Sequence, residues 1–360
     1  MAVFTDVFED VTKQGRKIPT SEYLEIGLYP IIDQGQGNIA GYTDETDGLF
    51  TDIPAIIFGD HTRVLKYVDT PCFLGADGVK LLKAKIINPN YKYLYYVLSS
   101  ANIPNTGYNR HFKWLKEVEI PLPSEVEQQK IVDILDKITE LIALQKEQLA
   151  KLDQLLKSRF IELFETNSWE TIRAGTIMLN MRNGVSPSNA GTYPAKVLTL
   201  SAITQGDFDP SSWKDGMFDT DPPIEKRVTA SDFYMCRGNG NKNLVGAGVY
   251  SKEDRYDLVF PDTAIAATID LQRVCLPYLF HAWKRPSVRE QIETGARTTN
   301  GTYKINQGVV SNIELILPPL ELQRQFAAFV EQTDKSKLAI QQSLDKLKLL
   351  KKSLMQEYFG

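Results

Sequence analysis

The sequence predicts an α+β protein with two pseudo-symmetric mixed α/β bodies, each followed by a long helix, the two helices pairing as an antiparallel coiled coil. Three observations carry this. Residues 122–165 align without a gap with residues 317–360, a shift of 195, and eleven of the forty-four positions are identical. Each copy has an apolar residue at alternating four- and three-residue steps, the 3.5-residue period of a coiled-coil seam. The segments before the copies also echo each other, more faintly. A fixed-interval duplication is read first because it sets the architecture.

The first body spans 1–120 and its helical segment 121–166; the second body spans 167–316 and its helical segment 317–360. Short strands are expected at "YPIIDQG", "IPAIIFGDH", "AKVLTLSAI" and "DLVFPDTAIAAT", where apolar residues alternate between turns rich in Gly, Asn and Asp. "YLYYVL" at 93–98 parallels "YLFHAW" at 278–283, and "TGYNRHF" at 106–112 parallels "GTYKINQ" at 301–307. At the openings, "VFTDVFEDV" is matched to "SWETIRAGT" with Phe4 opposite Trp169. The offset then grows from 165 to 195, which gives the second body about thirty extra residues.

The first helix opens on Ser124 and Glu127, an S-x-x-E capping box in which each side chain satisfies an orphan backbone N–H. The second opens on Pro318 and Pro319, residues suited to a first turn. Ile131, Leu135, Ile138, Ile142, Leu149, Leu152, Leu156 and Leu163 form the first seam, interrupted by Gln145 and Arg159. Phe326, Val330, Ile340, Leu344, Leu347 and Leu354 form the second, interrupted by Thr333, Lys337 and Lys351. A forty-residue helix is about 60 Å long and needs a partner along its length. The duplication makes its own copy the simplest partner; a linker plus a terminal dimerisation helix is the alternative.

Composition narrows the class. The chain has 360 residues, 42% of them apolar, enough for two cores. No run of eighteen apolar residues suggests a membrane span, and the acidic start "MAVFTDVFED" is unlike a secretory leader. Cys72, Cys236 and Cys275 lie far apart without a CxxC, so a zinc site or disulfide framework is not expected and a reduced, cytoplasmic protein is. The net charge of -4 conceals polarity: residues 1–60 hold eleven acids and three bases, while 78–116 hold seven bases and no acid. Residues 273–304 hold six bases against two acids. Such faces can hold phosphates, since a screened field is felt over about 8–10 Å; taken singly, each is equally a solvated surface.

Catalytic signatures are missing. "NPNY" at 88–91 has Asn90 where an amino-methyltransferase loop has Pro, and "DPPI" at 221–224 offers Ile224 in place of a stacking ring; both read as turns. "GNGNK" is too short for a phosphate-binding loop. After "PDTAIAATID", Asp270 lacks the carboxylate–x–Lys of a nuclease, and the three His are scattered. The loops 33–38, 59–63, 237–243 and 297–306 are instead dense in Asn, Gln, Arg, Lys and Thr, side chains that read base edges or grip phosphates.

Two divergent bodies, each followed by a helix that opens "IPLPSEVEQQKIVDILD" or "ILPPLELQRQFAAFVEQ", resemble the DNA-specificity subunits of type I restriction–modification systems. The likeness extends over the whole chain, including "FGDHT", "RGNGNKNLVG" and "TNGTYKINQ". Ser124 and Glu125 depart from the further Pro and apolar residues often found there. The resemblance implies that each body is a target-recognition domain reading one half of a bipartite asymmetric site in double-stranded DNA. It implies that the paired helices set the unread spacer and that methyltransferase subunits, two per chain, dock on the helical regions. Those partners would carry S-adenosylmethionine, none being bound by this chain, and restriction/translocase subunits would then join. The chain itself would be a non-catalytic recognition subunit, with both halves present in one chain.

The residues expected on DNA are Gln34, Gln36, Asn38, His61, Arg63, Arg110 and Lys113 in the first domain. In the second they are Arg237, Asn239, Asn241, Lys242, Arg297, Thr302, Lys304 and Asn306. The competing readings are a specificity chain for a type IIB-like enzyme, a coiled-coil adaptor that never touches DNA, and a free-standing methyltransferase.

Overall fold

The computed structural model describes residues 1–75, 78–107, 109–188, 190–299 and 301–360. Two compact units emerge, Met1–Gln148 with Ile340–Gly360, and Leu149–Ala339. Each therefore contains one mixed α/β body, the end of one long helix and the start of the other. No helix among the described residues is long and apolar enough to cross a membrane.

The first unit is built on an antiparallel sheet in the order Phe8–Asp10, Val79–Ala84, Ala55–Gly59, Leu65–Val68. Ala55–Gly59 is the central strand and is buried throughout, as an unbroken apolar run requires. A second sheet runs Gly41–Thr43, Tyr29–Ile32, Phe73–Leu74, with the last pair parallel. Helix Tyr91–Ser100 starts where the Asn90 side chain accepts from the Tyr93 N–H at 3.0 Å. "NPNY" is thus a helix cap, and the prediction of a turn there holds. Phe4, Phe58, Leu94, Phe112 and Leu115 fill the core, joined by Ile131, Val132 and Leu135 from helix Glu125–Phe164. Leu354, Met355, Tyr358 and Phe359 at the end of helix Leu320–Phe359 pack against the same core.

The second unit repeats the plan. Its main sheet runs Met178–Asn183, Ala264–Ile269, Asp232–Cys236, Gly248–Tyr250. The next runs Trp213–Phe218, Tyr193–Leu198, Arg255–Val259, Arg227–Val228, again with one parallel pair. A third, small sheet runs Gly238–Asn239, Thr302–Lys304, Arg297–Thr299. The segment read as one strand, "DLVFPDTAIAAT", is two, because Pro261 and Asp262 break it between Arg255–Val259 and Ala264–Ile269. Across three strands of the main sheet, Arg182 grips buried Asp232 with both terminal nitrogens at 2.5 and 3.2 Å, while Thr268 and Thr229 donate to the same carboxylate. A buried charge persists only when its lone pairs are filled in this way.

Strand pairing corrects the alignment of the two openings. Ala2–Val3 pairs with Glu119–Ile120 as Glu170–Arg173 pairs with Glu314–Leu317, so Val3 corresponds to Arg173. Phe4 then occupies the place of Ala174, not Trp169. Phe and Trp suggest a shared core position that the backbone register does not give them.

The helices run antiparallel within each unit. In the second, Lys337 pairs with Asp153 while Phe326, earlier on its helix, meets Phe160, later on the other. In the first, Lys351 donates to the Thr139 hydroxyl at 2.7 Å, and residues 354–359 reach the core that holds residues 131–135. Ile131, Leu135, Ile138, Leu156 and Leu344 are buried, and Ile142, Leu149, Leu152, Ile340 and Leu347 half-buried. Among the polar interruptions, Thr333 donates to the Phe329 carbonyl at 2.8 Å and Arg159 pairs with Glu162, whereas Gln145 Oε1 is buried without a hydrogen-bond partner among the described residues. Lys351 lies 5.5 Å from the Tyr96 ring centre, and burial lowers its pKa.

Phe160, Phe164, Tyr278 and Phe326 form an aromatic knot with ring centres 4.8–5.8 Å apart. Such pairs contribute about 0.5–1.5 kcal/mol each beyond their burial. The knot fixes the second body to its helices.

Candidate nucleic-acid interface

In the first unit the candidate residues gather on loops at one end of the main sheet. Gln34 is the pivot: its Oε1 accepts from the His61 N–H at 3.2 Å, and its carbonyl accepts from the Thr62 hydroxyl at 2.6 Å. Gly78, at φ +86°, passes so close that a Cβ there would lie 2.7 Å from the Gln34 amide, so only glycine fits. Asp33, next to Gln34, pairs with buried Lys66 at 3.3 Å. Gln36 and Asn38 project from the same loop and are exposed.

Asp60 ties in the remaining segment. Its carbonyl accepts from the His111 N–H at 2.8 Å and its carboxylate from the Phe112 N–H at 2.7 Å. His61 Nδ1 lies 3.2 Å from the Asn109 carbonyl. The segment bearing exposed Arg110 is thereby held against the 59–63 loop. Lys113 is also exposed and sits over the Trp114 ring at 4.8 Å. Arg63 departs from the group: its guanidinium donates to the Ile103 carbonyl at 3.2 Å from a backbone at φ +63°.

In the second unit four candidates, Asn239, Arg297, Thr302 and Lys304, share one small sheet and a fifth adjoins it. Arg237 leads into strand Gly238–Asn239, whose neighbour Thr302–Lys304 pairs in turn with Arg297–Thr299. Asn300 lies outside the described residues. Arg237 donates to the Asp262 carbonyl at 3.1 Å, and Lys242 lies 3.6 Å from Glu293. Arg297 and Lys304 are exposed and have no ion-pair partner among the described residues. Three asparagines are committed through their oxygens. Asn239 accepts from the Asn241 N–H, Asn241 from the Asn243 N–H, and Asn306 caps helix Gln307–Asn312 by accepting from the Val309 N–H. Each oxygen so engaged has one of its two lone pairs filled and its orientation fixed, and the amide NH2 is left to donate to phosphate or base acceptors.

The two clusters occupy the same topological position. Asp60 N–H donates to the carbonyl of Gly78, the residue before strand Val79–Ala84, at 2.7 Å; Arg237 N–H donates to Thr263, before strand Ala264–Ile269, at 2.8 Å. The Asp60 carbonyl accepts from His111 N–H, and that of Arg237 from Ile305 N–H at 2.9 Å. The residues on this shared frame differ: Asp60, Gly78 and His111 in the first unit stand where Arg237, Thr263 and Ile305 stand in the second. Sequence reading missed Asp60 as the hub, and it missed Arg289, whose guanidinium holds the Val245 and Lys242 carbonyls at 2.6 and 2.9 Å. Asp60 stands beside His61, and an acid among loop donors was the available signal.

Residues 4–154 match the family model described as "Type I restriction modification DNA specificity domain". Similar curated proteins include the EcoR124I/EcoR124II specificity subunit of Escherichia coli, 30% identical over 139 residues, covering 35% of this chain and 34% of that one. The EcoKI specificity subunit of Escherichia coli K12 is 25% identical over 238 residues, covering 60% and 50% respectively. The chain thus spans half or less of these two relatives. Among solved structures, the type I restriction-modification S subunit from M. genitalium superposes with a TM-score of 0.62 at 17% identity, covering 99% of this chain and 95% of that one. A chain from a type I R-M complex study aligns with a TM-score of 0.55 at 16% identity and the same coverages. Residues 4–154 are thus similar to the type I restriction modification DNA specificity domain, and over nearly its whole length the chain shares the fold of the M. genitalium S subunit.

Proposed function

We propose that this chain is the sequence-specific DNA-recognition subunit of a type I restriction–modification complex. Residues 1–120 and 167–316 each read one half of a bipartite asymmetric site. Segments 121–166 and 317–360 set the unread spacer and dock two methyltransferase subunits, which carry S-adenosylmethionine; restriction/translocase subunits complete the assembly in the cytoplasm. The chain contributes recognition and no covalent chemistry.

The observation that carries this reading is the pair of topologically equivalent loop clusters with unrelated side chains. A shared frame with different polar groups is what two readers of two different half-sites require. Arg, Lys, Asn and Gln are the side chains that supply such contacts. DNase footprinting of the full chain with its co-purified methyltransferase tests it: two protected patches around an unread gap are expected. A coiled-coil adaptor would give no sequence-specific protection, which would end the proposal. A type IIB-like assembly would give the same footprint and is separated by whether its partner also cleaves.

A further inference from the structure

Arg297 and Lys304 stand directly opposite each other in the antiparallel pair Arg297–Thr299/Thr302–Lys304. Opposed residues have Cβ atoms about 5 Å apart, and like charges at that spacing repel. The segment 297–304, "RTTNGTYK", contains no acid to offset them. Nearby cations are already engaged: Arg237 by a carbonyl, Lys242 and Arg289 by Glu293. Glu290 lines the cleft beside Arg297 without pairing with it.

On its other edge Lys304 faces Gly238. A Cβ at Gly238 would lie 3.2 Å from Lys304 Cγ and 3.8 Å from its Cε, so the lysine stem lies down across the glycine. Gly238 is buried under that stem, while Arg297 and Lys304 themselves are exposed and have no ion-pair partner among the described residues.

We propose that Arg297 and Lys304 form a clamp for one backbone phosphate, supplying the counter-ion that the fold omits. The assignment rests on the DNA-recognition reading and deepens it: this face grips backbone rather than base edges. Phosphate contacts position a protein without reading sequence, and each one neutralised contributes about 0.9 to the slope of log affinity against log salt. A guanidinium matches a phosphate with two parallel donors, and the lysine adds a point charge.

The test uses the complex of the full chain with its methyltransferase. Arg297→Gln with Lys304→Gln should flatten the salt slope of duplex binding by about one and weaken all duplexes alike. The recognised half-site should keep its sequence. Gly238→Ala, which displaces the Lys304 stem, should flatten the slope by a smaller amount. A second arm titrates inorganic phosphate at constant ionic strength: the parent chain should gain more thermal stability than the double variant. An unchanged slope in the folded double variant overturns the clamp, and so does a change of base preference at one position. If the parent complex binds no specific DNA yet phosphate still stabilises it more than the variant, the anion seat stands and the recognition reading fails.

Discussion

The side-chain amide of Gln323 donates to the carbonyl of Pro318 at 2.8 Å, and Gln128 donates to Pro123 at 2.9 Å in the other copy. Each glutamine reaches back over the first turn and closes the helix start onto the strand before it. Nearby, the Tyr278 hydroxyl donates to the Ile316 carbonyl at 2.6 Å and that of Tyr93 to Pro121 at 2.9 Å. The duplicated phrase is therefore a joint as well as a helix signal. In the first copy the Ser124 half of the expected capping box forms, Ser124 Oγ accepting from the Glu127 N–H at 3.3 Å, while the glutamine serves the Pro123 carbonyl instead.

Removing this clasp should have unequal effects. Gln323 is fully buried and also accepts from the Cys275 N–H and donates to the Arg273 carbonyl. Gln323→Ala leaves several buried groups unpaired and should destabilise the second unit by about 2–4 kcal/mol; Gln128→Ala should cost about 1 kcal/mol. Urea melts of the two variants, followed by tryptophan fluorescence, give the comparison. Equal losses would mean that the extra bonds of Gln323 contribute nothing.

Acid should loosen the second unit through His281. Its ring is set edge-on to Phe280 and Phe326 at 5.3 and 5.2 Å, and burial pulls its pKa down to about 4. The unfolded chain binds this proton below about pH 6.5 and the folded chain only near pH 4. Stability is thus fully present above the unfolded value and declines as pH falls between the two, by an amount on the order of 3 kcal/mol. His281→Phe should remove that slope. A thermal-melt series from pH 7 to pH 4 that is identical in parent and variant would refute it.

Asp60 should govern one half-site only. Asp60→Ala removes the carboxylate that holds the Phe112 N–H and frees the segment carrying Arg110. Affinity for the first half-site should fall while the second half-site is still protected, and Asp60→Asn, which keeps an acceptor, should restore much of it. Footprints of both variants separate this from a global loss of folding.

The helices offer an independent prediction. Inserting seven residues into each, so that heptad phase is kept, lengthens the pair by about 10 Å, the rise of about three base pairs. The preferred spacer should grow accordingly while the half-sites keep their sequences. A folded, active insertion variant with the original spacer would remove the ruler role.

The helices were the most legible part of the sequence, because a 3.5-residue stripe and a gapless duplication survive divergence. Spacing alone assigns Ile131, Leu135 and Leu344 to the seam; all three are buried, Ile131 and Leu135 within the core of the first body. The bodies were less legible. Side-chain likeness matches Phe4 to Trp169, whereas strand register, a long-range property, aligns it with Ala174. In the loops, residue type did not reveal commitment: Asn241 and Asn306 look alike in sequence to Asn38, yet their oxygens cap local backbone. The Asn-Gly dipeptide at 300–301 was a hairpin signal that would have placed Arg297 and Lys304 on facing strands.

The measurement closest to the central claim is methylome sequencing of a host that carries this chain with its methyltransferase. The account expects one asymmetric motif made of two specified half-sites around an unread spacer of fixed length. Methylation without a sequence pattern, or confined to a single continuous motif, would contradict it.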